Sequence, residues 1–140
     1  MSASTKLSTA VKAICSLNTV YPKPLTSAKI SSDIGINASK LRKILSMLVK
    51  NNIVESISGM SGGFVLKKTV SELHLQEIYC AIEDRQAFYL NVKKNYGSKY
   101  EEQLKLNNFF LDLFIEIQID IENKIKTITV DSILKKINKQ

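Results

Sequence analysis

The chain has 140 residues, of which 44% are hydrophobic and 24% charged, with a net charge of +7. This balance is typical of a globular protein with one hydrophobic core and excludes an intrinsically disordered chain. With no apolar run of about 18 residues and no apolar N-terminal segment, the sequence excludes a membrane span and a secretory signal and predicts a cytoplasmic protein.

The positive charge lies entirely in the first half of the chain. Residues 1–68 contain ten Lys/Arg and two acidic residues, giving +8, whereas residues 69–140 contain ten Lys/Arg and eleven acidic residues, giving −1. A localised positive charge is the electrostatic arrangement of a module that binds a polyanion. The distribution therefore favours a polyanion, such as double-stranded DNA, as a partner of the first half.

Apolar residues at helical spacing predict three helices in this basic half, at residues 5–17, 26–33 and 38–51. Gly35 can adopt the positive φ that ends the second helix, and Asn37 can cap the third. Two helices joined by so short a turn form a helix-turn-helix, in which the second of the pair is the recognition helix.

The predicted third helix has two different faces. One carries an apolar stripe that must face a core, formed by Ala38, Leu41, Ile44, Leu45 and Leu48. The opposite arc is basic, and a solvated helix face would explain it as well as contact with DNA. In a helix-turn-helix we expect contact with DNA from its N-terminal turn and its basic side chains, namely Asn37, Ala38, Ser39, Lys40, Arg42 and Lys43.

A hairpin follows the third helix. Residues 53–57 and 64–66 read as strands, and the glycine-rich loop 58–63 between them is the wing of a winged helix-turn-helix. Met60 and Ser61 at the tip are candidates for direct contact with DNA. Hydroxyl groups at helix starts can donate to phosphate, which adds Ser8, Thr26 and Ser27, although capping alone would explain the last two.

The second half reads as helical. A fourth helix is predicted from Ser71, as cap, to Asp84, residues 85–99 are not assigned, and a long helix runs from about Tyr100 to Lys126 before a short one at 130–137. The long helix carries two apolar stripes on opposite sides, and one of them needs a second copy of the chain to cover it. We therefore expect a homodimer, with dimer contacts from Leu111, Ile115 and Ile119.

The fold class is thus mainly α with a small β-hairpin wing: a winged helix-turn-helix DNA-binding domain at residues 1–84, and a helical dimerisation region at 85–140 packed on it. Cys15 and Cys80 lie among apolar neighbours, so both are expected to be small core residues, and redox sensing by either is the alternative. Their spacing matches no metal site, so no metal or cofactor is expected.

The recognition-helix string Leu41-Arg42-Lys43-Ile44-Leu45-Ser46-Met47-Leu48 and the wing Gly59-Met60-Ser61-Gly62-Gly63-Phe64-Val65-Leu66 resemble the Rrf2 family of bacterial transcriptional regulators. The resemblance covers nearly the whole chain and is greatest to cluster-free, YwnA-like members, because residues 85–99 contain none of the three closely spaced cysteines that hold an iron-sulfur cluster. It implies a homodimer that binds a roughly palindromic operator and represses transcription until a signal weakens binding. The family often has an aromatic residue where this chain has Lys40, so base contacts there do not transfer.

The sequence supports two other classes of function less well. An enzyme is not expected, because the sequence has no phosphate-binding glycine loop, no nucleophile with a partner base and no clustered carboxylates beyond solvated pairs. A winged helix that binds proteins instead of DNA is the alternative, and salt-dependent DNA binding would separate it from a regulator.

Overall fold

A computed structural model describes residues 1–83 and 101–139. Its elements in chain order are α1 (Ala3–Thr19), α2 (Ser27–Ile34), α3 (Ala38–Lys50), β1 (Val54–Ile57), β2 (Gly63–Leu66), α4 (Leu75–Ile82), α5 (Glu101–Ile125) and α6 (Val130–Asn138). The predicted fold class, mainly helical with a two-stranded wing and a long C-terminal helix, is confirmed. The unassigned stretch 85–99 and the predicted start of the long helix at Tyr100 lie outside the described residues.

The helix-turn-helix is built as the sequence predicted. Gly35 ends α2 in the left-handed conformation at φ 67°, and its N–H donates to the Ser31 carbonyl. Asn37 then caps α3 with its side chain, which accepts from the N–H groups of Ser39 and Lys40. Since the cap satisfies N–H groups of the first helical turn, it fixes the point at which α3 starts.

The wing is an antiparallel hairpin in which Val54 pairs with Leu66 and Ile57 with Gly63. It is attached to the helices through the segment before α2. Phe64 N–H donates to the Leu25 carbonyl at 2.7 Å, and Leu25 N–H donates to the Phe64 carbonyl at 3.1 Å. A Cβ at Gly63 would lie 2.4 Å from the Leu25 carbonyl oxygen, so only glycine allows this approach.

The core joins both ends of the chain. Helices α1, α3 and α4 and the hairpin supply most of it, and α6 closes it with Val130, which is fully buried. Backbone hydrogen bonds hold that end in place: Val130 N–H donates to the Leu73 carbonyl at 2.9 Å, and Leu75 N–H to the Ile128 carbonyl at 2.8 Å.

This backbone pairing corrects the predicted fourth helix. The helix begins at Leu75 instead of Ser71, and Ser71 does not cap it but shares a hydrogen bond of 3.1 Å with the Thr69 hydroxyl. Residues 70–72 form a turn, in which Glu72 N–H donates to the Thr69 carbonyl, and His74 pairs with Thr129 in an isolated bridge. The carbonyls of Val70 and Leu73 accept from the N–H groups of Asp131 and Val130. Such a partner, distant in sequence, overrides a local helix pattern.

The long helix α5 is poorly covered within one chain. Both apolar stripes that the sequence predicted are only partly buried, and Gln118 is the buried residue of α5 in the part of the chain that the structure describes. Ile115 and Ile119 remain 49% and 52% exposed. None of the described helices is both long and apolar enough to cross a membrane.

Candidate nucleic-acid interface

Helix α3 presents one face to the core and the other to solvent. Leu41, Leu45 and Leu48 are fully buried and Ile44 is 3% exposed, which confirms the predicted apolar stripe. The opposite side is exposed along the whole helix and carries Ser39, Lys40, Arg42, Lys43, Ser46, Met47 and Lys50. Since this face carries four cations and no carboxylate, it attracts a polyanion.

Two clefts border the exposed face. The first lies along α3 itself, has a volume of about 450 Å³ and is lined by Ser39, Arg42, Lys43, Ser46 and Met47. The second has a volume of about 310 Å³ and lies between α3 and the start of α1, with Met1, Lys6, Lys40, Lys43, Ile44 and Met47 around it. Lys43 lines both clefts and is therefore at the centre of the surface.

Lys6 and Met1 also belong to this surface and were not among the predicted contacts. The first helix was predicted to start at Thr5, whereas α1 begins at Ala3, and the Ser2 side chain caps it by accepting from Thr5 N–H. A serine at position 2 is a common N-cap residue, so the earlier start of the helix could have been predicted from the sequence. The Lys6 ammonium also lies 3.5 Å from a carboxylate oxygen of Glu83, whose side chain is 6% exposed.

The predicted hydroxyl contacts are scattered. Ser8 is exposed on α1, and its hydroxyl donates to the Thr5 carbonyl at 3.1 Å. Thr26 is exposed and caps α2 by accepting from Lys29 N–H at 3.2 Å, while Ser27 is half-buried in the first turn of α2. None of these three lines either cleft beside α3.

The wing tip is uncharged. Met60 is fully exposed and Ser61 beside it is also exposed. The stretch 51–66, from the end of α3 through β2, carries one charge, that of Glu55. The wing therefore offers backbone N–H groups, hydroxyls and a methionine side chain, but no cation.

The two cysteines lie apart from this surface. Cys15 is half-buried against the core, in line with the prediction, whereas Cys80 is exposed on α4, so its assignment to the core was wrong. Burial raises the pKa of the Cys15 thiol. Although Cys80 is exposed, partial desolvation of its sulfur and, to a smaller extent, the nearby Glu122 carboxylate raise the pKa of its thiol. Neither thiol is activated as a thiolate.

A cleft of about 600 Å³ beside Cys80 is lined by His74, Gln76, Glu77, Cys80 and Lys126. Its charges are mixed, and Glu77 is engaged in an ion pair with Lys68. It lacks the uniform positive charge of the clefts beside α3, so it is a poor site for a polyanion.

The chain matches a known protein family over nearly its whole length. A family model described as Rrf2, iron-dependent transcriptional regulator, matches residues 3–136. The chain is 37% identical over 65 residues to YwgB of Bacillus subtilis, named as an HTH-type transcriptional regulator, a match covering 46% of this chain and 42% of that protein. It is 38% identical over 61 residues to the regulator IscR of Photorhabdus laumondii, covering 44% and 37%. The chain thus spans less than half the length of these relatives.

Solved structures show the same fold. A transcriptional regulator from Lactobacillus plantarum superposes with a TM-score of 0.81 at 20% identity, covering 95% of this chain and 89% of that one. CymR, the global cysteine regulator of Bacillus subtilis, superposes with a TM-score of 0.65 at 18% identity, covering 92% of each chain. The relatives in these comparisons are transcriptional regulators, not enzymes.

The iron named in the family description does not fit the side chains that this chain could offer as metal ligands. Iron-sulfur clusters are held mainly by cysteine thiolates, and the sequence contains two cysteines in all. One lies on α1 and the other on α4, and no three His, Cys, Asp or Glu side chains among the described residues are placed to hold a metal.

Proposed function

The chain belongs to the Rrf2 family of transcriptional regulators, and on that premise we propose that it is a homodimeric repressor that binds double-stranded DNA at a roughly palindromic operator. The observation that carries this proposal is the exposed cationic face of α3, which the start of α1 extends through Lys6. A surface of this kind neutralises phosphates and releases counterions, which is the main source of affinity for DNA.

In this proposal the N-terminal turn of α3 enters the major groove, which is about 12 Å wide and admits one helix. Lys40 and Lys43 contact phosphates on the groove walls, and Arg42 is the side chain suited to a bidentate pair with guanine. Asn37, Ala38 and Ser39 are at the end of the helix nearest the bases. Ser8, Thr26 and Ser27 are peripheral contacts to the backbone.

The wing adds a contact of a different kind. Because it carries no cation, its grip on the flanking DNA backbone depends on N–H groups, the Ser61 hydroxyl and the Met60 side chain. Such contacts are short-ranged and nearly independent of salt, unlike those of the lysines on α3.

Dimerisation is supported by the uncovered length of α5. Leu111 is half-buried, and Ile115 and Ile119 on the same stripe are about half exposed in one chain. A second copy of α5 packed on this stripe would remove that apolar area from water. The dimer presents two α3 helices to successive major grooves about one helical turn apart, and residues 85–140 form its dimerisation region.

Bound in this way at a promoter in the cytoplasm, the dimer blocks transcription until a signal releases it. A redox signal is one hypothesis, and the exposed Cys80 is the more accessible thiol, followed by Cys15. Treatment with an oxidant, with modification confirmed by mass spectrometry, tests it. Unchanged affinity for DNA in the modified protein would remove the redox hypothesis.

Binding of the purified protein to its own upstream DNA and to a scrambled duplex, over a salt series, tests the proposed function. We expect preferential binding whose logarithm falls steeply with the logarithm of salt, as for about 6 to 10 phosphate contacts. Absence of binding to both duplexes at low salt would refute the repressor and favour a winged helix that binds proteins. An autoregulating repressor predicts that the upstream duplex is preferred.

A further inference from the structure

One buried polar residue lies where the long helix meets the DNA-binding half. Gln118 is 3% exposed, although the neighbouring Ile115 and Ile119 are half exposed. Its Nε2 donates to the Tyr79 hydroxyl at 3.1 Å and to a carboxylate oxygen of Glu122 at 3.1 Å. Tyr79 belongs to α4 and is 6% exposed. A directional hydrogen bond therefore joins α4 to α5.

The second attachment of α5 is the backbone pairing that follows its C-terminal end. Ile128 accepts from Leu75 N–H, and Val130 donates to the Leu73 carbonyl. Gln118 precedes the end of α5 at Ile125 by seven residues, about 10 Å along the helix axis, and Ile128 follows three residues later. Among the described residues, the contact at Gln118 and the backbone pairing are two separated attachments of α5 to the DNA-binding half, and together they constrain the direction of the helix.

The tilt matters because α5 is long. Residues 101–117 extend about 26 Å beyond Gln118, so a tilt of 10° would displace the far end by about 4.5 Å, comparable with the rise of one base pair, about 3.4 Å. A buried hydrogen bond is directional and is lost when its geometry changes, so it adds to the packing a preference for one orientation of the two helices. The buried amide is thus suited to hold an angle.

We propose that the Gln118–Tyr79 hydrogen bond fixes the angle between the dimerisation helix and the DNA-binding domain, which makes Gln118 and Tyr79 positioning residues that determine the half-site spacing of the operator. This inference rests on the proposed function, since it requires a dimer formed through α5 and two recognition helices on DNA. Neither residue contacts DNA in this proposal.

The test uses Tyr79→Phe, which removes the hydroxyl group alone and leaves Gln118 its hydrogen bond to Glu122. The matched control is Tyr21→Phe, the same change at a tyrosine that is 59% exposed, and Gln118→Leu is a second variant. Thermal unfolding of all variants confirms that they are folded. The probe is the duplex that the wild-type protein selects from a random library, remade with its half-sites moved closer or apart by one base pair.

For wild type and Tyr21→Phe we expect affinity to fall about tenfold when the spacing changes by one base pair, because one half-site then turns by about 34°. For Tyr79→Phe and Gln118→Leu we expect a loss below about threefold, together with weaker binding at the original spacing. If the variants lose the same factor at every spacing, or none, the inference is wrong while the repressor stands. If the wild type selects no duplex, the proposed function fails and the inference fails with it.

Discussion

Replacement of Lys43 by alanine should change how DNA affinity depends on salt. Lys43 is exposed and lines both clefts beside α3, so it is the cation most centrally placed on the surface. A homodimer loses two phosphate contacts in this variant, and each contact contributes about 0.9 to the slope of log affinity against log salt. The slope should therefore become shallower by about 1.8.

The same figure gives the effect at each salt concentration. Between about 50 and 200 mM salt, a slope difference of about 1.8 changes the ratio of the two dissociation constants by about twelvefold. Lys43→Ala should therefore weaken binding most at low salt, and the difference from wild type should shrink about twelvefold by the higher concentration.

Fluorescence anisotropy with a labelled upstream duplex measures both slopes. The control is Lys12→Ala, which removes an exposed lysine of the basic half that lines neither cleft. If the control and Lys43→Ala change the slope equally, net charge alone drives binding. If Lys43→Ala leaves the slope unchanged, Lys43 contacts no phosphate and the interface is assigned to the wrong face.

Three further changes test other parts of the molecule. Ile115→Glu places a carboxylate in the proposed dimer contact and should raise the dimer dissociation constant at least about a hundredfold, seen by sedimentation; an unaltered dimer would mean that another face of α5 pairs. Gly35→Ala should lower the free energy of unfolding by about 1 kcal/mol, because only the positive φ at this position disfavours a side chain. Gly63→Ala should lower it by about 3 kcal/mol, because the added Cβ would meet the Leu25 carbonyl. Urea unfolding measures both losses, and equal losses would contradict this reasoning. Because partial desolvation and Glu122 raise the pKa of the Cys80 thiol, its rate of alkylation should be low at neutral pH and still rise beyond pH 9.0. Glu122→Gln should shift this dependence of rate on pH to lower pH; an unshifted dependence would leave desolvation as the only cause.

The parts of the fold that local sequence could predict are those stabilised locally. The faces of α3 follow from helical periodicity, its start from the Asn37 side chain, and the turn before it from Gly35. The wing follows from β-branched residues around a glycine-rich loop. In each case the residues that decide the structure are within a few positions of one another.

The features that the sequence analysis missed depend on partners distant in the chain. Ser71 lies in a turn and starts no helix, because the carbonyls of Val70 and Leu73 on either side of it are bonded to the start of α6. Gln118 is buried because Tyr79, some forty positions earlier, offers it a hydroxyl group. Lys6 joins the candidate interface only because the start of α1 lies beside α3. The periodicity of one segment contains no information about its contacts with segments distant in sequence.

The burial of Val130 has a consequence for the order in which the molecule can fold during synthesis. The core of the DNA-binding half lacks one wall until Val130 is available, and Val130 follows the whole of α5 in the chain. Domains generally fold from the N-terminus as they are synthesised, but this one can close only after its dimerisation helix has been made. A chain truncated after α5 would therefore keep the dimerisation helix and lack a closed DNA-binding core.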